Sequence, residues 1–454
     1  MSNTTMLILI TIAAIVLLLV LVLKFKIQAF IALLITSMFV GVATGMPLND
    51  VIASIQKGMG STLGFVATVV GLGAIFGQIL ESSGGAEALA QTMIRKFGKE
   101  KANWALVITG FFVAIPVFFD VGFIILVPIV YALAKDTKKS VLFYGIPLLA
   151  GLAVTHTFIP PTPGPVAVAE IVSADLGWVI LFGFIIGIPT AIIAGPVFGK
   201  YIGKKINIAP PKFVSKGDGS SKINDNNLPS FGLIVSIIGV PLVLILLNTL
   251  TDVLVKKQVI NEGFTVDLLK FLGHPFVALT IATLLALYLL GIKRGFSKNE
   301  LLNLSSKALA PAGLIILVTG AGGVFKQMLI DSGVGNMMAE SIAKSSLPPI
   351  VLAYILAVVV RITQGSATVS MITAAGIMAP VLTVFNLGAP DRALIVIAIA
   401  SGATILSHVN DSGFWLVGKY FGMNEAQTLK SWTMMETIIS VCGFVGAVVL
   451  SLFV

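Results

Sequence analysis

GLGAIFGQILESSG at residues 71–84 and GAGGVFKQMLIDSG at residues 320–333 are one motif written twice. Seven of the fourteen positions are identical at an offset of 249: Gly71, Gly73, Phe76, Gln78, Leu80, Ser83 and Gly84 with their partners. Self-similarity at one long period marks a fold built from two copies of a single unit. The same offset lays the apolar stretch 102–134 on 351–383 and pairs Gly164 with Gly413. The chain is therefore expected to hold two repeats, over residues 1–202 and 229–454, with the Lys-, Gly-, Ser-, Asn- and Pro-rich stretch 203–228 as a cytoplasmic hinge loop between them.

The medium follows from composition. Only 29 basic and 20 acidic residues occur among 454, and 57% of the chain is hydrophobic. Soluble domains run at about 25% charged residues, so a soluble enzyme, a secreted scaffold and a disordered chain are all excluded. The single cysteine, Cys442, leaves no disulfide framework and no cysteine-based metal site. The net charge of +9 sits in short loops between apolar runs, which reads as an orientation signal rather than a nucleic-acid surface.

Charge-free stretches recur at 5–23, 27–49, 58–80, 140–169, 176–199, 226–251, 271–292, 308–325, 393–410 and 437–454. Each approaches the roughly 20 residues that cross the hydrocarbon layer. The first lacks the basic start and small-residue cleavage site of a signal peptide and is read as a retained helix. Placing all the basic loops inside requires that 102–134 enter and leave on the same side of the membrane. Two arms of about 15 residues would each reach only about 22 Å, too short to span. That segment is read as a re-entrant helical hairpin with its tip at PVFFDVG (116–122); a single long helix kinked at Pro116 is the alternative. Each half then holds three helices, a hairpin, a helix with an unwound middle and a last helix. An odd number of crossings per half inverts the second repeat relative to the first. The expected fold class is an all-α polytopic membrane protein with two inverted-topology repeats, an organisation characteristic of secondary transporters.

Irregular backbone at membrane depth needs protein or water around it. Four places qualify: FFDVG (118–122), THTFIPPTPGP (155–165), RITQGSATVS (361–370) and SHVNDSGFW (407–415). Broken helices present free N–H groups and positive dipole ends, which suit a carboxylate. Thr155, Thr157, Thr162, Thr363, Gln364, Ser366, Thr368, Asn410 and Ser412 add hydroxyl and amide groups, with Gly164, Gly365 and Gly413 at the backbone turns. This inventory suits a small polyhydroxylated acid. Arg361 stands alone in a long uncharged stretch; it either meets a substrate carboxylate, pairs with an aspartate, or snorkels to the interface. Asp120 and Asp411 are candidates for carrying a proton, with a helix cap as the other reading of Asp411. His156 and His408 occupy similar positions (T-H-T and S-H-V) and are either proton carriers or structural hydrogen-bonders. Glu170 and Lys326 read as structural or interfacial. The run Pro160–Pro165 is expected to be extended, not helical. No metal-ligand spacing, cofactor motif, nucleotide-binding loop or catalytic set occurs, so neither an ATP-driven pump nor an enzyme is expected.

The runs GAIFGQILESSGGAEALA (73–90), PVFFDVGFIILVPI (116–129), THTFIPPTPGPVAVAE (155–170), RITQGSATVSMITAAG (361–376) and SHVNDSGFWLV (407–417) resemble the gluconate permease family of proton symporters. The resemblance covers essentially the whole chain. It implies uptake of gluconate or a related sugar acid with protons across a bacterial cytoplasmic membrane, within a superfamily of inverted-repeat carriers. It also implies a homodimer in which a transport domain moves against a scaffold. Members of the family carry D-serine, fructuronate, idonate or glycerate, so a D-serine:proton symporter remains an alternative. Sodium coupling is a second one, because the polar breaks could supply oxygen ligands.

Overall fold

A computed structural model of the chain describes residues 3–210, 228–334, 337, 347–383, 385, 387–409 and 411–454. Among these residues the regular structure is helical. Seven helices are long and apolar enough to cross a membrane: α3 (Leu48–Ser82), a run over Val141–Val172, α9 (Leu176–Lys205), α10 (Phe231–Lys256), α12 (Pro275–Arg294), α13 (Lys298–Asp331) and α18 (Glu425–Ser451). Further helices accompany them: α1 (Asn3–Leu23), α2 (Ala29–Ala43), α4 (Gly85–Phe97), α11 (Phe264–Gly273), α14 (Pro349–Gln364) and α15 (Ala367–Leu382). The chain is a multi-pass membrane protein. Most of the expected hinge loop, 211–227, lies outside the described residues; α9 runs to Lys205 and α10 begins at Phe231.

The two copies of the opening motif have the same local structure. Each closes a helix of similar length, α3 with 35 residues and α13 with 34. Each ends on a serine C-cap, Ser83 or Ser332, followed by a glycine at positive φ, 77° at Gly84 and 76° at Gly333. Only glycine adopts that conformation without steric cost, which accounts for its presence in both copies. Phe76 and Phe325 are buried, and Gln78 and Gln327 each donate to an acid in the next turn, Glu81 and Asp331. The two helices also pack on each other. A Cβ on Gly58 would stand 2.6 Å from the Gly323 carbonyl oxygen, so the backbones touch. Small residues at such a crossing give membrane helices their van der Waals contact.

An ion pair decides the course of 102–134. Lys99 precedes α5 (Ala102–Val113), Asp136 lies in the last turn of α6 (Phe119–Thr137), and their side chains meet at 2.7 Å. The chain therefore returns to its starting end, and the segment is a hairpin rather than one kinked helix. The exposed pair holds the Asp136 carboxyl below, and the Lys99 ammonium above, its usual range. In the second half α14 and α15 pack on each other across Gly365, whose φ is 79°. Each has 16 residues, about 24 Å of helix against a hydrocarbon layer of about 30 Å.

The two interrupted helices follow the hairpins. α7 (Val141–Phe158) and α8 (Pro163–Ile171) are separated by residues 159–162. Here the expectation of a wholly non-helical proline run is corrected: Pro163 and Pro165 lie in the first turn of α8, where a missing N–H leaves no bond unmade. In the second half α16 (Ala389–Gly402) stops well before α17 (Ser412–Phe421).

Candidate functional site

Both hairpin turns and the start of α17 meet at one cavity of about 420 Å³. Three helices begin there. Asp120 is in the first turn of α6, Ser366 is the N-cap of α15, and Asp411 is the N-cap of α17. Helix starts expose unpaired N–H groups and the positive end of the helix dipole, so the three together favour a bound anion. Pro311, Leu314, Ile315 and Val318 of α13 and Ala153 of α7 add an apolar part to its wall.

Arg361 lies at the C-terminal end of α14, and its side chain is only 2% exposed. One terminal nitrogen donates to Asp411 Oδ2 at 2.6 Å and the other to the Gly365 carbonyl. Asp411 accepts further bonds from Ser407 Oγ and, through Oδ1, from the Gly413 backbone N–H at 3.1 Å. Ser407 in turn accepts from Trp432 Nε1 at 2.6 Å, and its carbonyl accepts from Thr433 Oγ1. A continuous polar chain thus ties α14, the break before α17 and α18 together. Of the readings open for this pair, the structure shows that Arg361 pairs with an aspartate and Asp411 caps a helix, and both line the cavity. Among the described residues, Arg361 Nε has no hydrogen-bond partner.

The expected site residues divide. Thr157, Arg361, Ser366, Thr368, Ser412 and Gly413 line the cavity, as do Asp120, His156 and Asp411. The Thr157 hydroxyl donates to the Ala153 carbonyl, leaving its lone pairs as the part free to accept. Thr155, Thr162, Gly164, Thr363, Gln364, Gly365 and His408 are not in its wall. Thr162 and Thr363 donate to carbonyls of their own turns, and Gly164 packs on Met371. His408 Nε2 is 3.2 Å from the Ile362 carbonyl oxygen, so the two histidines, alike in sequence, sit in different surroundings. Asn410 lies outside the described residues. Glu170 and Lys326 face each other between α8 and α13, and Arg392 donates to the Val172 carbonyl at 2.9 Å.

Trp432 and Glu436 also line the cavity and lie outside the four breaks picked out in the sequence, and Phe119 of the FFDVG break joins them. The Phe119 and Trp432 rings stand 5.4 Å apart, centroid to centroid, in the cavity wall. Glu436 is 4% exposed, and among the described residues its Oε1 has no hydrogen-bond partner. A signal was available, since Glu436 is the only charged residue between Ser431 and Val454. With every acid ionised, the wall carries three carboxylates and one guanidinium. The helix starts and Arg361 thus invite an anion into a cavity that is already negative. Among the described residues, no group of three or more His, Cys, Asp or Glu side chains could hold a metal ion.

Comparison with known proteins agrees with this architecture. The crystal structure of the YdaH transporter from Alcanivorax borkumensis superposes with a TM-score of 0.59 at 13% identity, covering 89% of each chain, so the fold is shared. The gluconate permease of Pseudomonas aeruginosa is 42% identical over 453 residues, 100% of this chain and 99% of that one. The low-affinity gluconate transporter of Escherichia coli K12 is also 42% identical, over 98% of both chains. The Gnt-II system L-idonate transporter of Escherichia coli K12 is 38% identical, over 98% of this chain and 99% of that one. The family model described as GntP family permease matches residues 6–453, and the chain belongs to that family.

Proposed function

We propose that the protein is a secondary transporter that imports gluconate, or a closely related sugar acid, together with protons across a bacterial cytoplasmic membrane. The observation that carries this reading is the cavity itself: three helix starts and Arg361 converge on it, and three carboxylates share its wall. Relatives named for gluconate and idonate transport supply the substrate class. In this reading Arg361 and the N–H groups at the starts of α15 and α17 hold the substrate carboxylate. Ser366, Thr368, Ser412 and the lone pairs of Thr157 meet its hydroxyls, and the apolar wall from α13 lies against the carbon chain. Bringing an anion beside ionised acids is costly at low dielectric, and protonating one of them relieves it. That requirement couples substrate entry to proton entry. The alternating-access unit comprises the two inverted repeats, 1–202 and 229–454, joined by 203–228, and the protein works as a homodimer.

The test is uptake of labelled gluconate into cells or vesicles carrying the protein, with idonate, fructuronate, glycerate and D-serine as competitors. Competition by the sugar acids, and collapse of uptake on adding a proton uncoupler in sodium-free buffer, are expected. Dominant competition by D-serine, or uptake that follows sodium and ignores the uncoupler, would overturn the assignment.

A further inference from the structure

We infer that Glu436, rather than either aspartate of the cavity, is the residue that takes up and releases the coupling proton. The inference rests on the proton-symport reading above. The three acids of the cavity differ in what supports their ionised forms. Asp411 accepts hydrogen bonds from Arg361, Ser407 and the Gly413 N–H. Asp120 sits in the first turn of α6, at the positive end of that helix, and is exposed to the cavity. Glu436 has neither support. It lies in the interior of α18, is 4% exposed, and among the described residues its Oε1 has no hydrogen-bond partner. An ionised carboxylate so buried carries a desolvation cost that no donor offsets, whereas the protonated acid does not.

The charges facing Glu436 make its protonation matter for the substrate. Arg361 comes from α14 and Asp411 from the break before α17; Asp120 and His156 face the same cavity from α6 and α7. When Glu436 loses its proton, Arg361 is the cation it faces, and Arg361 is also the group proposed to hold the substrate carboxylate. The deprotonated acid therefore competes with the substrate for one guanidinium and repels it as a like charge. A proton added to a Glu436 carboxylate oxygen from the outer solution removes both effects, and its loss on the inner side restores them and favours release. The proton arrives from water and returns to water, with no other group changed. Proton and substrate thus raise each other's affinity, a reciprocity that linkage requires.

Purified protein in sodium-free liposomes, with the variant Glu436→Gln, tests this. The glutamine keeps the shape of the protonated acid and cannot ionise. Exchange of internal for external labelled gluconate is expected at close to the wild-type rate, while accumulation driven by an inside-alkaline pH gradient is lost. Equilibrium binding adds a second readout: in the wild type the gluconate Kd weakens by up to about tenfold per pH unit once Glu436 deprotonates, and in Glu436→Gln it becomes flat with pH. A variant that still accumulates gluconate under the pH gradient would overturn the proposal. If Glu436→Gln loses exchange as well, Glu436→Asp decides: a pH profile for driven uptake displaced from the wild type supports the assignment, and an unmoved profile overturns it. Wild-type uptake that is indifferent to the pH gradient would instead refute proton symport itself, so the two failures are distinguishable.

Discussion

Replacing Arg361 by methionine removes the one guanidinium in the cavity wall and is expected to have two separable consequences. The first is structural. Arg361 and Asp411 meet at 2.6 Å with side chains 2% and 13% exposed, so the variant leaves a nearly buried carboxylate without its cation. Breaking a buried pair on one side costs about 3–5 kcal/mol. Asp411 keeps Ser407 and the Gly413 N–H as donors, which places the expected loss near the lower end, about 3 kcal/mol. The second consequence is functional. A hydrogen bond to a charged group contributes about 1.5–3 kcal/mol, so substrate affinity should fall roughly ten- to hundredfold. The double variant Arg361→Met with Asp411→Asn separates the two. Removing the stranded charge should restore most of the stability, measured by thermal unfolding of the detergent-solubilised protein, while gluconate binding stays weak. Recovery of both stability and binding in the double variant would show that Arg361 serves only to neutralise Asp411 and does not hold substrate.

Other perturbations probe the frame around the cavity. A methyl group on Gly77 would stand 1.9 Å from the Pro116 carbonyl oxygen at the hairpin turn, so Gly77→Ala should displace the turn and abolish uptake. Gly60→Ala, in the same helix with nothing within 4 Å, should leave uptake intact and raise stability by about 0.5–1 kcal/mol; loss of uptake in both variants would disconnect the effect from the turn. Ser407→Ala cuts the link from Trp432 to Asp411 and should cost about 1–3 kcal/mol, with a smaller loss of uptake than Arg361→Met. Lys99→Ala opens only an exposed ion pair and should leave uptake unchanged, though the Asp136 carboxyl, freed of its cation, should rise toward its ordinary range. A clear loss of uptake in Lys99→Ala would mean that closure of the hairpin ends depends on that pair.

The membrane class, the doubled motif and the hairpin were legible because each rests on a pattern along the chain. The two motif copies end on serine and positive-φ glycine in the same way, and the basic loops flanking 102–134 implied the return that the Lys99–Asp136 pair closes. Arg361, Asp120 and Asp411 stood out as charges in uncharged runs, and the cavity contains all three. What sequence did not resolve is which polar group of a break turns inward. Thr162 and Thr363 spend their hydroxyl protons on carbonyls of their own turns, and neither lines the cavity. Side-chain direction at a broken helix depends on neighbours far along the chain. Glu436 was missed for a related reason: at the margin of the last apolar run it looks like a flanking charge. It became a cavity residue only once α18 was seen to extend to Glu425. The proline run was misjudged because proline is forbidden in a helix interior yet favoured in a first turn, and spacing alone does not separate the two positions.

The most direct test of proton symport is to watch the proton. Liposomes containing the purified protein and a trapped pH-sensitive dye, in sodium-free buffer with the membrane potential clamped, should acidify inside when gluconate is added outside. The acidification should track gluconate entry and fall with it in the Arg361→Met variant. Gluconate entry with no change in internal pH would contradict proton coupling and return sodium or simple facilitated transport to first place.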